Sequence, residues 1–299
     1  MKELNLGLSN IKVSQIGLGG INFGTKLSQE KSFEILDTYI SKGGNFIDTA
    51  NNYAVWNGGD GGESERVIGE WISKHDNRKN IVIGTKLGAL PKDLKTRDFS
   101  QMQGLKRETI LSSVEQSLKN LKTDYIDILY LHVDDFSVPQ EEVMETLHEL
   151  IQLGKVKALG CSNFYAWRIE NARRICEENN LTFFSVIQQR YSYLTPIMDA
   201  DFFPQIPVNQ DLIAYLNHYQ DLTLVAYSPL LKGQYSSLDT IQDCQYLTDA
   251  NRHKLEELKS VENPINTVLE YITDSFQGSV ALITTSNVNH LIDIMDAII

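Results

Sequence analysis

The sequence predicts an α/β protein in which eight parallel strands alternate with helices and close into a (β/α)8 TIM barrel, entered through a small N-terminal β-hairpin. Two observations predict it. Eight runs of strand length, rich in Val, Ile and Leu and without polar alternation, read as strands buried on both faces. Amphipathic stretches of helical period separate them from end to end. No Pro/Ser linker or composition break divides the 299 residues, so residues 1–299 are expected to form one barrel domain.

Val13–Gly20 (VSQIGLGG) leaves the hairpin as the first barrel strand. The helix Lys31–Gly44 follows, with Phe33, Leu36, Tyr39 and Ile40 at helical spacing and closing glycines suited to a C-cap. The other strands are expected at Asn45–Ala50, Asn80–Lys86, Tyr125–His132, Val156–Asn163, Phe184–Arg190, Leu222–Ser228 and Ser279–Thr285. The other helices are expected at Ser64–Lys74, Glu108–Asn120, Gln140–Leu153, Ala166–Asn179, Asp211–Gln220 and Lys254–Thr273. The run GLGGINFG invites a dinucleotide-fold reading, but the third glycine of GxGxxG would fall at Asn22, and no helix is expected to begin there.

A net charge of -12 and a pI near 5.0 repel phosphate backbones and anionic lipid, so neither nucleic acid nor a membrane surface is expected as a partner. The first residues, MKELNLGLSN, lack an apolar h-region, and no stretch approaches the ~20 apolar residues of a spanning helix, which points to a cytoplasmic protein. Cys161, Cys176 and Cys244 are odd in number and far apart, as reduced thiols rather than a disulfide framework or zinc knuckle would be.

A barrel of this kind carries its site at the C-terminal ends of its strands. The polar residues ending the apolar runs are Asp48, Lys86, His132, Ser162 with Asn163, Gln188, and Tyr227 with Ser228, and Tyr53 follows Asp48 by five positions. Four of them make chemical sense together. A phenol is a poor acid at neutral pH, and an ammonium beside it would stabilise the phenolate and lower its pKa, so Lys86 is expected to tune Tyr53. Asp48 would hold Lys86 charged, and His132 could donate a hydrogen bond to a carbonyl oxygen as charge develops there. Such a site suits the reduction of a small-molecule carbonyl compound. No His-x-His or paired carboxylate accompanies His132 at metal-ligand spacing, which argues against a metal-dependent hydrolase. Asp124 and Asp127 fall at the bottom or in the wall, and Asp134 and Asp135 follow His132 into the top loop, so no opposed carboxylates support glycoside hydrolysis.

FIDTANNY with GGESERVIG, IGTKLG, SVEQSLKNLKTDYIDILYLH, GKVKALGCSNF, QQRYSYL and VAYSPLLKG, in this order, resemble the aldo-keto reductase superfamily from about Gly17 to about His290. The resemblance implies an NAD(P)H-dependent oxidoreductase with Tyr53 as general acid, Lys86 and Asp48 tuning it, and His132 orienting the substrate carbonyl. It implies that Ser162, Asn163 and Gln188 hold the nicotinamide carboxamide, that Tyr227 stacks on the ring, and that Gly20 and Ile21 pass close to the cofactor. Ser228, Pro229, Leu230, Lys232 and Gly233 would wrap the pyrophosphate, and Thr284, Thr285, Ser286 and His290 would line the adenosine phosphate end. Some proteins of this fold are redox-sensing or regulatory subunits with slow turnover, and the motifs do not separate that role from catalysis.

The sequence departs from the family's pattern after the eighth strand. TTSNVNHL carries no lysine or arginine for the 2′-phosphate of NADP, and Ile294 stands where many relatives carry an asparagine for adenine. NADP is expected as cofactor, with NAD possible and discrimination weak. Trp56, Phe136, Trp167, Tyr193 and Phe202 are candidates for an apolar substrate wall. The short tail after the eighth strand predicts an open site.

Overall fold

Strands without polar alternation need cover on both faces, and the fold supplies it with packed side chains inside and helices outside. The structure is a computed structural model that describes residues 2–297; the Trp56 side chain falls outside the described set. β1 (Glu3–Asn5) and β2 (Lys12–Ser14) pair antiparallel, Glu3 opposite Ser14, as the small hairpin. The chain then alternates through β3 (Ile16–Gly19), α1 (Gln29–Ser41), β4 (Phe46–Asp48), α2 (Glu63–His75), β5 (Val82–Leu87), α3 (Arg107–Leu121), β6 (Ile126–Leu131) and α4 (Gln140–Gln152). It continues through β7 (Val156–Ser162), α5 (Ala166–Asn179), β8 (Val186–Arg190), α6 (Gln210–His218), β9 (Thr223–Tyr227), α7 (Asp249–Leu258), α8 (Pro264–Thr273), β10 (Val280–Ile283) and α9 (Val288–Ala297). The eight parallel strands β3 to β10 close into one barrel in which β10 pairs with β3.

The period-two rule sorts side chains to the two barrel faces. Phe46, Ile128, Tyr130, Val186, Val225, Val280 and Leu282 pack together inside, joined by Leu6 and Val13 from the hairpin, which plugs the N-terminal end. Ile47, Ile83, Leu129, Leu159, Ile187 and Leu224 turn outward to the helices. Tyr130 needs small neighbours: a Cβ on Gly84 would lie 2.9 Å and one on Gly160 2.5 Å from its ring. That plug and ring close the barrel floor, so polar residues higher on the same inner face have only the mouth to look toward.

Two expected elements divide: Val13–Gly20 is not one strand, since Val13 and Ser14 end β2 of the hairpin and the barrel strand β3 is Ile16–Gly19. Lys254–Thr273 is not a single helix but the end of α7 followed by α8, because Pro264 supplies no backbone N–H and occupies the first turn of a new helix. Asn263 caps that helix, its side chain accepting from the Asn266 N–H. Asp127 sits at the bottom, buried and paired with Arg78 and Lys157. No helix among the described residues is long and apolar enough to cross a membrane. All three cysteines are free, Cys161 and Cys176 buried and Cys244 exposed.

Candidate active site

The inner-face alternation delivers the polar residues to the mouth. Asp48 stands two positions beyond Phe46, Lys86 two beyond Gly84, His132 two beyond Tyr130 and Gln188 two beyond Val186. Tyr53 arrives on the loop after β4, which is tied to β5 because the Asn51 N–H donates to the Lys86 carbonyl at 3.0 Å and Asn52 Nδ2 to the Ala89 carbonyl at 3.1 Å. Ala54, directly after Tyr53, is held at φ 88°, an unfavourable conformation for alanine that this tethering maintains.

Lys86 is the hub. Its Nζ donates to Asp48 Oδ2 at 2.5 Å, to the Thr49 carbonyl at 2.7 Å and to the Tyr53 hydroxyl at 2.9 Å, which uses all three ammonium protons. The side chains of Asp48 and Lys86 are sealed from water, at 0% and 1% exposure. Gln188 Nε2 donates to the other Asp48 oxygen at 2.8 Å. The Tyr53 and His132 rings meet edge to face with centroids 6.1 Å apart. The structure therefore brings Asp48, Tyr53, Lys86 and His132 into one cluster.

Its electrostatics correct one expectation. Lys86 does not lower the Tyr53 pKa on balance: burial pushes the phenol well above its ordinary value, and the negative charge of Asp48 adds to the rise. Burial lowers the Lys86 pKa, opposed by Asp48. Burial, helped by the Lys86 charge, holds His132 well below the usual imidazole value, so it is neutral at pH 7, and its buried Nδ1 has no hydrogen-bond partner among the described residues.

Beside the cluster lie a hydroxyl and two amides. Asn163, at φ 59°, donates through Nδ2 to the His132 carbonyl at 2.9 Å and to Ser162 Oγ at 3.1 Å. Its oxygen accepts from the Tyr227 hydroxyl at 2.6 Å and from the Ile206 N–H at 3.1 Å. Ser162, Asn163 and Gln188 thus stand together at the strand ends, but Asn163 is already engaged, and Tyr227 is bound to it by its hydroxyl. Ser228, Leu231, Lys232 and Gly233 all have positive φ, between 45° and 95°, in a turn that also contains Pro229 and Leu230; Lys232 is exposed. Gly20 donates its N–H to the Asp48 carbonyl at 2.8 Å and its carbonyl accepts from Ser64 Oγ at 2.8 Å, with half-buried Ile21 next in the chain. A Cβ on Gly19 would lie 2.6 Å from Thr284 Oγ1, so the glycine lets the Thr284 side chain pack directly against β3 at the mouth.

After β10 the picture is looser. Thr285 Oγ1 donates to the Asn287 carbonyl and accepts from the Asn287 N–H, committing its hydroxyl to its own turn, while Thr284, Ser286 and His290 are exposed. The donor set still suits a nicotinamide dinucleotide: amides and a hydroxyl match a carboxamide, a turn of left-handed residues matches a diphosphate, and neutral hydroxyls stand at the far end.

Two residues near the cluster escaped the sequence reading. Tyr130 lies beneath Lys86, its ring centroid 5.9 Å from Nζ. Arg190 stands two positions beyond Gln188 on the same face of β8 and lines a cavity of about 1310 Å³ over the mouth with Asn163, Tyr191 and Phe202. The alternation that places Gln188 inside was the available signal for Arg190. Asp134 and Asp135 also line this cavity, each with protein partners.

Comparisons with known proteins show what the chain is similar to. The chain is 37% identical over 203 residues to an aryl-alcohol dehydrogenase of Pestalotiopsis microspora, a match covering 66% of this chain and 51% of that protein. It is 34% identical over 247 residues to a norsolorinic acid reductase of Emericella nidulans, covering 79% and 58%, and 30% identical over 285 residues to an aldo-keto reductase of the same fungus, covering 91% and 65%. The chain thus spans between about half and two thirds of the length of these curated relatives. In fold it is similar to the holo form of an aldo-keto reductase from Bacillus halodurans, with a TM-score of 0.77 at 22% identity over 100% of this chain and 91% of that one. The model of the aldo/keto reductase family matches residues 15–298, and the chain belongs to that family.

Proposed function

We propose that the chain is an NAD(P)H-dependent oxidoreductase that reduces an aldehyde or ketone to an alcohol, with Tyr53 as the proton donor. The observation that carries this reading is the division of the Lys86 protons among Asp48, Thr49 and the Tyr53 hydroxyl. With one phenol lone pair committed to Lys86, the phenol proton is directed either to Asp48 Oδ2, at a long 3.3 Å, or to an acceptor at the mouth.

A reduced nicotinamide, when bound, supplies the hydride taken up by the carbonyl carbon. Tyr53 gives its proton to the carbonyl oxygen as charge grows there, and the Lys86 ammonium stabilises the phenolate left behind. The buried phenol keeps its proton until that moment, because both burial and Asp48 disfavour its ionisation. His132, neutral at pH 7, aligns the carbonyl by donating a hydrogen bond to the same oxygen.

Ser162, Asn163 and Gln188 would hold the carboxamide, with Asn163 exchanging one of its present partners for it, and Tyr227 would cover one ring face. Gly20 and Ile21 would flank the cofactor, and the Ser228–Gly233 turn with Lys232 would take the diphosphate. Thr284, Ser286 and His290 would meet the adenosine end, with Thr285 contributing less because its hydroxyl is committed to Asn287. NADP is the cofactor that this set favours, weakly over NAD. The free cysteines and acidic charge fit a cytoplasmic enzyme acting on a small carbonyl compound rather than on nucleic acid or a membrane.

A fluorescence titration with NADPH combined with a broad aldehyde panel tests the reading. Turnover of several aldehydes is expected. Tight cofactor binding without reduction of any of them would instead make the chain a cofactor-sensing subunit.

A further inference from the structure

Three arginines are buried among the described residues, and one of them lacks an acid. Arg168 is bidentate to Asp134 and Arg173 is bidentate to Asp221. Arg190, 8% exposed at the end of β8, donates from Nε to the Tyr246 hydroxyl and from Nη1 to Gln205 Oε1, both at 2.9 Å, and stacks 4.3 Å from the centroid of Phe202. Every one of these partners is neutral. No carboxylate among the described residues lies within 4.0 Å of its guanidinium, and its Nη2 makes no hydrogen bond to them.

A guanidinium has five donors, and burying its charge without a counterion is costly, so an arginine held this way is prepared for an anion. The protein as a whole carries a charge of -12, yet none of the acids lining this cavity, Asp134, Asp135 and Asp201, forms an ion pair with Arg190, and Asp201 accepts the Phe203 N–H through Oδ1 at 2.9 Å. Asp134 and Asp135 in the same cavity are committed, the first to Arg168 and the second to the Leu105 N–H and Ser137. The walls shared with Arg190 include the flat aromatic side chains of Tyr191, Phe202 and Tyr246, beside Gln205, Ile206 and Pro207.

We propose that Arg190 is the seat for an acid group on the substrate, and that the substrate class is a carbonyl compound bearing a carboxylate on a flat aromatic or conjugated body. This rests on the carbonyl-reductase reading above. The planar fork of Arg190 suits a carboxylate approached in its own plane, and the aromatic walls suit the body that carries it. Arg190 stands two residues beyond Gln188 on the same face of β8, about 6.6 Å further along the strand toward the mouth, and Gln188 itself binds Asp48, so the acid seat lies on the mouth side of the proposed reacting site.

The test compares para-carboxybenzaldehyde with its methyl ester at saturating cofactor, in the wild type, Arg190→Gln and Arg190→Lys. Calorimetric binding of benzoate and a fluorescence titration of the cofactor accompany the kinetics. In the wild type, kcat/KM for the acid should exceed that for the ester by at least about tenfold, the scale of one charge-assisted contact. Arg190→Gln should lower the acid-to-ester ratio about tenfold or more, mainly through KM, and weaken benzoate binding to match, with part of each restored in Arg190→Lys. A wild type that does not prefer the acid overturns the proposal. So does an unchanged ratio in Arg190→Gln accompanied by weakened cofactor binding, which would assign the guanidinium to the cofactor's diphosphate. If neither aldehyde is reduced but benzoate binding depends on Arg190, the reductase reading fails and the acid seat stands; benzoate binding indifferent to Arg190, with no reduction, removes both.

Discussion

Around Lys86, charged and polar side chains are sealed from water and bond to one another, whereas at Thr284–His290, at the same end of the barrel, side chains stand in solvent and Thr285 bonds within its own turn. The two regions differ in what holds them. A buried charge has no water to fall back on, so each partner in the Lys86 cluster is fixed by the desolvation cost of losing it. A hydroxyl in solvent exchanges one acceptor for another at little cost, so the far segment can change its ligand preference without disturbing the fold.

The largest effect is expected where the chemistry is proposed. Tyr53→Phe should cut carbonyl reduction by at least about 100-fold while leaving cofactor affinity nearly intact, as judged by steady-state rates beside a binding titration. Near-normal turnover would remove Tyr53 from its role. Lys86→Met should next lower folding stability by about 3–5 kcal/mol, because it strands a buried Asp48 with no cation. Adding Asp48→Asn to that variant should recover much of the loss in urea unfolding, and a single variant as stable as the wild type would mean the pair is not sealed.

At the solvent end the scale shrinks. Parallel titrations should find NADPH preferred over NADH by no more than about tenfold to a hundredfold, the range of one missing charge-assisted contact. A preference of many thousandfold would require a cation at the phosphate, for which exposed Lys232 is the first residue to replace. Thr285→Ala should cost only about 1 kcal/mol, the usual effect of losing a capping hydroxyl, and should leave the NADPH to NADH ratio within about twofold if that hydroxyl stays with Asn287.

The smallest expected change is in pH. The protonated phenol is the proposed donor, present below its folded pKa and lost as pH rises through it, and that pKa is raised above its ordinary value of about 10. His132 is neutral above a pKa pushed well below the usual 6.5. Reductive kcat/KM should therefore stay level from about pH 7 to about pH 9. An alkaline limb inside that window would mean either that Lys86 outweighs burial and Asp48 at Tyr53 or that the Lys86 ammonium, whose own pKa burial lowers, gives up its proton there.

The residues that end each apolar run were legible because two local patterns place them: a run buried on both faces, and the alternation that turns every second side chain inward. Asp48, Lys86, His132, Ser162 and Gln188 follow from those patterns, as does the closed barrel. The break before α8 was also written locally, in Asn263-Pro264, and was overridden only by the apolar periodicity on either side. What the sequence alone did not determine is the company each polar atom keeps. Asn163 is engaged by Ile206, 43 residues away, and Tyr227, 64 away; Arg190 is met by Tyr246, 56 away, rather than by an acid. The Tyr53 phenol is pushed up rather than down because desolvation sums over everything packed around it, and only the folded barrel decides what that is.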